Sequence, residues 1–163
     1  MSDDSAYGRV TNPERFAMLH QAAQELVADL RRRFDIVVEP IAPEVDSLRP
    51  EVISAVRVTP RNDGAAVTIG FTDFPGLFVR FGSQHTEPFP NCGCDACDEQ
   101  PAQVANNLRE KLESVAHGGF SEPTGGYEFV FPDGGSSSGQ ADRHFWQRSR
   151  TRRYAPWPPI GSG

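Results

Sequence analysis

The sequence lacks the features that mark secreted, membrane-spanning and disulfide-rich proteins. Residues 1–5 are acidic and contain no apolar segment of the signal-peptide type. Apolar stretches such as residues 65–71 are far too short to span a membrane. The chain has three cysteines among 163 residues, an odd number that does not suit a disulfide scaffold. These absences argue against a secreted scaffold and a membrane protein, and we expect a cytoplasmic location.

Familiar catalytic motifs are also missing. The sequence contains no phosphate loop, no Gly-x-Gly-x-x-Gly fingerprint, no Gly-x-Ser-x-Gly elbow and no His-Glu-x-x-His helix, and no internal repeat is present. The length suits one domain with its own hydrophobic core. We therefore expect a non-enzymatic binding or accessory domain whose unknown partner is a protein. The alternative from another class is a thiol- or metal-dependent enzyme.

Charge is unevenly distributed along the chain. Residues 1–141 carry 11 basic and 21 acidic side chains, a net charge of −10, whereas residues 142–163 carry five arginines and one aspartate, a net charge of +4. The whole chain has a net charge of −6 and a pI near 5.2. A basic tail on an acidic body is expected to dock on that body.

The tail nevertheless suggests a second alternative function. Arg148, Arg150 and Arg152 alternate with polar residues and are flanked by Trp146 and Tyr154, so in a strand the arginines would share one face. Interleaved arginine and aromatic side chains can bind single-stranded nucleic acid weakly. The acidic pI argues against a dedicated nucleic-acid binder.

Hydrophobic periodicity predicts two helices. The first begins at Pro13 with Thr11 or Asn12 as its cap, and the second begins near Pro101 and ends at Gly118 and Gly119. Each predicted helix has one apolar face, formed by Phe16, Leu19, Ala23, Leu26 and Leu30 in the first and by Val104, Leu108, Leu112 and Val115 in the second.

Runs rich in β-branched and aromatic residues, separated by short turns, predict an antiparallel meander. The predicted strands are residues 52–59, 65–71, 77–81, 127–131 and 144–154, with a short extended piece at 36–39 and a flexible loop at 133–139. The expected fold is α+β, an antiparallel sheet of four or five strands with two main helices packed on one face. Residues 1–10 are interpreted as a mobile arm and residues 11–163 as one domain. That domain has a metal or thiol loop at 85–99 and an extended segment rich in Arg, Trp and Pro from residue 142.

All three cysteines fall within six residues, as Cys92-Gly93-Cys94-Asp95-Ala96-Cys97. Three soft ligands from one turn favour a structural zinc site, and Gly93 gives the backbone freedom to bring the sulfurs together. Zinc prefers four ligands. His85, the nearest imidazole in the sequence, is the first candidate for the fourth, with His117, His144, Asp95 and Asp98 as others.

Three other interpretations of the cysteines remain open. Cys94-x-x-Cys97 is a potential redox pair just before a helix start, although the neighbouring acids Asp95, Asp98 and Glu99 are expected to oppose thiolate formation. An iron–sulfur cluster would be one cysteine short. The thiols could also be inert small hydrophobes in a tight turn.

The cysteine run Pro90-x-Cys-Gly-Cys-Asp-Ala-Cys-Asp-Glu99, together with residues 7–16, resembles an uncharacterised actinobacterial family, a domain of unknown function. The resemblance covers most of the chain. It implies a compact cytoplasmic protein and no particular activity.

Overall fold

The computed structural model describes residues 8–43, 52–140 and 150–161. Its elements are a 3-10 helix (Pro13–Ala17), helices α1 (Met18–Arg33) and α2 (Pro101–Ala116), and strands β1 (Ile36–Ile41), β2 (Val52–Pro60), β3 (Val67–Thr72), β4 (Leu77–Phe81), β5 (His85–Phe89), β6 (Phe120–Glu122), β7 (Gly126–Val130), β8 (Ser136–Gln140) and β9 (Arg152–Arg153). The predicted α+β class is confirmed. Over the described ranges, neither helix has the length and apolar character needed to cross a bilayer.

The larger sheet is an antiparallel meander of five strands in the order β1-β2-β3-β4-β5. Cross-strand partners lie on the same face, so the register places Val67, Phe81 and His85 in one row, with Ile69, Val79 and Glu87 in the next. Most residues in these rows are buried under the two helices and the second sheet. The inner face of β5 therefore carries two polar side chains toward an apolar core.

The smaller antiparallel sheet, in the order β8-β7-β6-β9, was not predicted as a separate sheet. Residues 85–99 were predicted to be a metal or thiol loop, but His85–Phe89 form β5 and pair with β4. The predicted flexible loop at 133–139 also proved wrong, because Ser136–Gln140 pair with β7 along their whole length. Of the predicted strand at 144–154, residues 144–149 lie outside the described residues, and β9 contains only Arg152–Arg153.

The N-terminal helical segment begins at Pro13, as predicted, but as a 3-10 turn. Of the two predicted caps, Asn12 occupies the cap position, but with a left-handed φ of 57° and no side-chain cap bond, whereas Thr11 hydrogen-bonds Asp95. Of the predicted apolar face, Phe16, Leu19, Ala23 and Leu30 are buried, whereas Leu26 is only partly buried and Val27 occupies the inner position.

Helix α2 follows its prediction closely. Val104, Leu108, Leu112 and Val115 are buried, and the chain leaves the helix at Gly118, which has a φ of +77° that favours glycine. Gly119 is required by close packing, because a Cβ there would lie 2.1 Å from the carbonyl oxygen of Val130.

The described part of the C-terminal segment, residues 150–161, docks on the body of the protein. Trp157 is 2% exposed, its indole Nε1–H donates to the Ala65 carbonyl oxygen at 2.9 Å, and its ring lies edge-on against Phe34. Gly64 leaves room for this ring, since a Cβ there would lie 2.6 Å from Trp157 Cδ1. Trp146 lies outside the described residues.

A buried carboxylate joins the two sheets. Glu122 of β6 is 3% exposed and accepts backbone N–H bonds from Ser83, Gln84 and His85, at 3.2, 2.7 and 3.2 Å, at the start of β5. The Tyr154 hydroxyl also donates to it at 2.5 Å. Burial tends to raise the pKa of Glu122, but hydrogen bonds from Tyr154 and Ser83 outweigh it and hold the pKa below its ordinary value.

Two leucines of α1 provide a matched test of the helix packing. Leu30 is 1% exposed, whereas Leu26 is only partly buried against the core. Leu30→Ala should lower the free energy of unfolding by about 2–5 kcal/mol, because it leaves a cavity in a packed site. Leu26→Ala should cost clearly less. Urea denaturation of both variants checks the order, and an equal or reversed loss would contradict the assigned helix face.

Glu122→Gln should destabilise the protein at neutral pH, because it replaces a charged acceptor of several hydrogen bonds, each contributing about 1.5–3 kcal/mol. The pKa of this carboxyl is lower in the folded than in the unfolded protein. The folded state is therefore stabilised in full at pH values above the unfolded-state pKa, and this stabilisation is lost as the pH falls through the folded-state pKa. The difference between wild type and variant should therefore shrink as pH falls below the ordinary value of 4.5. Glu128→Gln, on the exposed side of β7, is the control. A pH-independent difference would contradict the assignment.

Candidate metal centre

The three cysteines lie in the segment that joins β5 to α2. Cys94 is 5% exposed, whereas Cys92 and Cys97 are exposed. Gly93 has a φ of +77° and packs against Phe74, whose Cζ would lie 3.1 Å from an added Cβ. Gly93 thus adopts the left-handed backbone conformation that suits its predicted role in bringing the sulfurs together.

The structure brings the three thiols together as the sequence predicts. Cys94 Sγ lies 3.0 Å from Cys92 Sγ and 3.4 Å from Cys97 Sγ, and all three sulfurs are within 4.8 Å of one another. A tetrahedral zinc ion with Zn–S bonds of about 2.3 Å holds its sulfur ligands about 3.8 Å apart. Small outward movements of the two exposed side chains would therefore make room for an ion.

The backbone of the cysteine loop is held by carboxylates. Glu99 accepts the backbone N–H groups of Asn91 and Cys92, at 3.0 and 2.8 Å, and so closes the loop across its base. Asp95 accepts the backbone N–H of Thr11 at 2.8 Å, which ties the loop to the start of the chain. The acids that surround the cysteines thus fix the shape of the loop through protein contacts alone.

Contacts among the three cysteines shift the pKa values of the Cys94 and Cys97 thiols. Hydrogen bonds from Cys92, and then from the backbone and side chain of Cys97, lower the pKa of Cys94 to about 7. Sharing hydrogen bonds with Cys94 and Cys92 raises the pKa of Cys97 to about 12. Deprotonation is therefore favoured at Cys94 and disfavoured at Cys97. The neighbouring acids were expected to oppose thiolate formation, and at Cys94 the hydrogen bonds from the other two cysteines act in the opposite direction.

His85, the candidate fourth ligand, lies in a different cluster. Its Nε2 is 3.0 Å from Glu87 Oε2, and its ring stacks on Tyr127 with centroids 3.6 Å apart. Within the described ranges, the group of side chains able to share one ion contains the three cysteines without His85. The fourth-ligand role of His85 stays a prediction, but its hydrogen bond and ring stacking argue against it.

The other candidate fourth ligands are also engaged or lie elsewhere. His117 Nε2 is 3.3 Å from Glu113. Asp95 holds Thr11, and Asp98 pairs with Arg15 at 3.6 Å. His144 lies outside the described residues. No described candidate therefore completes a four-ligand site with the cysteines.

The cluster around His85 was missed by sequence reasoning. Lys111, the only lysine in the sequence, is 5% exposed on α2, pairs with Glu87 and lies over the rings of Phe89 and Phe129. Burial tends to raise the pKa of Glu87, but hydrogen bonds from His85 and Lys111 lower it below its ordinary value. The sequence did contain one signal of this cluster, because Lys111 is a charged residue next to the apolar face of α2.

Two grooves flank the cysteine loop. The acidic groove, about 530 Å³ in volume, has Cys97 at its edge and is lined mainly by Asp98, Glu99, Glu110 and the side-chain amides of Gln100, Gln103 and Asn107. The apolar groove, about 380 Å³, has Cys92 at its edge and includes Phe74, Leu77, Phe78 and Phe89 in its lining. The exposed cysteines thus border surfaces of different chemical character.

The arginines of the C-terminal segment are only partly described. Arg152 and Arg153 form β9 and pair with β6, and together with Arg150 they are exposed. Arg148 lies outside the described residues, so the predicted alternating arginine face is not established. The expectation that this segment does not bind nucleic acid stays a prediction.

Comparison with known proteins identifies one match. A model of a family of unknown function (DUF6226) covers residues 1–159. The chain belongs to this family. The predicted membership of an uncharacterised family is therefore confirmed, whereas the actinobacterial origin stays a prediction. No curated protein and no solved structure matches this chain.

The buried pair between Lys111 and Glu87 gives a prediction for stability. Lys111→Met should lower the free energy of unfolding by about 3–5 kcal/mol, because it leaves the Glu87 carboxylate half-buried without its cation. The double variant Lys111→Met with Glu87→Gln should recover part of this loss. A double-mutant cycle by urea denaturation measures the coupling, and additive losses would contradict the pairing.

Proposed function

We propose that the protein binds one soft metal ion, zinc in the first instance, through Cys92, Cys94 and Cys97, and that it acts as a non-enzymatic binding or accessory domain. The observation that carries the proposal is the convergence of three thiol sulfurs within 4.8 Å on a loop whose backbone is already fixed. Sulfur ligands of this kind prefer zinc or copper(I) over hard cations.

The contacts around the sulfurs favour a metal site over inert thiols. Inert cysteines are usually buried among apolar side chains, whereas Cys92 and Cys97 are exposed. The lowered pKa of Cys94 favours its thiolate form near neutral pH, which suits it to be the first ligand. An incoming dication would then displace the thiol protons of Cys92 and Cys97.

The proposal includes the setting in which such a site would work. Free thiols bind metal in reducing compartments, which fits the expected cytoplasmic location. A cluster of three thiolates around a dication carries a net charge of −1, which opposes the ionisation of a bound water molecule. This charge favours a binding role, with a protein as the expected partner, over metal-assisted hydrolysis.

Elemental analysis of protein purified without chelators tests the proposal. We expect one equivalent of zinc or copper per chain and three thiols that react with a thiol reagent only after the metal is removed. Cys94→Ser should weaken metal binding by at least about tenfold, since even indirect contacts of a metal site contribute that much. Zinc and copper(I) competition identifies the preferred ion.

His85→Ala serves as the matched variant for the fourth ligand. Because His85 is hydrogen-bonded to Glu87, this variant should alter stability and leave metal affinity nearly unchanged. Substoichiometric amounts of every metal, together with three freely reacting thiols in the native protein, would overturn the proposed function.

A further inference from the structure

The surroundings of the cysteines indicate how many ligands the protein itself supplies. Among the described residues, the ligand group consists of three cysteines, and the nearby carboxylates hold other partners. Glu99 holds the backbone of the loop, and Asp95 holds Thr11. Using either as a ligand would release a contact that shapes the loop.

The exposed sulfurs of Cys92 and Cys97 border different grooves, and the acidic groove beside Cys97 is lined mainly by polar side chains, which suit a hydrophilic ligand. Cys94 is buried, whereas Cys97 is exposed at the edge of the acidic groove. A ligand that reaches the ion from this groove would pass mainly polar side chains, with Val104 as the core residue in the lining. The groove is open and wide enough for an imidazole-sized molecule.

The charges of the acidic groove select the kind of external ligand. Asp98, Glu99 and Glu110 line the approach to Cys97. With three thiolates around a dication, the centre is also anionic. Anionic ligands are therefore repelled both by the carboxylates of the groove and by the metal centre, whereas metal cations and neutral nitrogen donors are not.

The protein contacts of the loop show that it does not rely on a metal for its shape. Glu99 closes its base, and the carbonyl of Cys94 accepts the N–H groups of Cys97 and Asp98, at 3.2 and 3.3 Å. A loop held in this way can lose its ion without unfolding, which a site that exchanges metal requires.

We infer that the metal centre keeps its fourth coordination position open toward the acidic groove, and that it takes up and releases its ion by direct transfer through a neutral imidazole-type donor. This inference rests on the proposed function. It describes an exchange site, whereas four protein ligands would make a closed structural site.

Cobalt(II) substitution tests the open position, because the visible absorption of cobalt reports its ligands. Imidazole titrated into the cobalt-loaded full-length protein should shift the spectrum with saturation, and azide, an anion of similar size, should have much less effect. A spectrum that imidazole leaves unchanged, with cobalt bound at one equivalent and all three thiols protected, would overturn the inference while leaving metal binding intact.

His85→Ala and His144→Ala distinguish an internal fourth ligand from an external one. Neither substitution should alter the cobalt spectrum before imidazole is added. A spectral change in either variant, together with an imidazole response seen only in that variant, would show that the protein supplies the fourth ligand and would contradict the inference. Failure to bind any metal would instead remove the proposed function itself.

Transfer kinetics test the role of the acidic groove. The rate of zinc transfer from the loaded protein to excess imidazole-containing chelator should rise with chelator concentration, because transfer passes through a shared complex. Asp98→Asn with Glu110→Gln should slow zinc capture by roughly tenfold at low ionic strength, and added salt should reduce the difference. Asn tolerates the φ of 46° at position 98.

Glu128→Gln, an exposed acid on β7, is the matched control for the loss of charge. It should leave zinc capture nearly unchanged. A transfer rate independent of chelator concentration, or equal slowing by Glu128→Gln and the groove variant, would contradict direct exchange through this groove.

Discussion

The hydrogen bonds of one buried carboxylate fix the start of the strand that leads into the cysteine loop. Glu122 accepts three consecutive backbone N–H groups at the start of β5, and the Tyr154 hydroxyl donates to the same carboxylate oxygen as Ser83. These bonds fix where β5 begins, and the strict alternation of a strand then points His85 and Glu87 inward. The same strand ends at Phe89, where the cysteine loop starts. A contact from the second sheet thus determines the placement of a loop in the first.

Carboxylates act as structural groups throughout this acidic chain. Glu99 and Asp95 each accept backbone N–H groups, and Glu87 accepts from a buried lysine. In each of these contacts, the negative charge of the carboxylate is compensated by an N–H donor or by the lysine ammonium group. The lowered pKa of the Cys94 thiol has a separate cause, the hydrogen bonds from Cys92 and Cys97.

Periodic apolar residues allowed much of the fold to be predicted. The stripe of α2 and the strand Leu77–Phe81 follow the expected bounds, because burial there coincides with local pattern. Strand β5 was missed because its polar residues and Pro88 do not resemble a strand, although proline is tolerated at a sheet edge. The serine-rich β8 has little intrinsic strand propensity, and its pairing with β7 is a tertiary effect.

The candidate site was predictable where its ligands are adjacent in sequence and unpredictable where they are not. Three cysteines within six residues need only a local turn to converge, and Gly93 provides it. Neither the engagement of His85 by Glu87 and Tyr127 nor the closing of the loop by Glu99 could be inferred, because each depends on side-chain contacts that local pattern does not specify.

The burial of the only lysine has a practical consequence. Amine-reactive reagents have one side-chain target in this chain, Lys111, and its ammonium group is enclosed by Glu87 and two phenylalanine rings. Acylation at this position requires α2 to separate from β5. The labelling rate of Lys111 under native conditions is therefore a built-in reporter of local opening beside the cysteine loop, readable by mass spectrometry without an introduced probe.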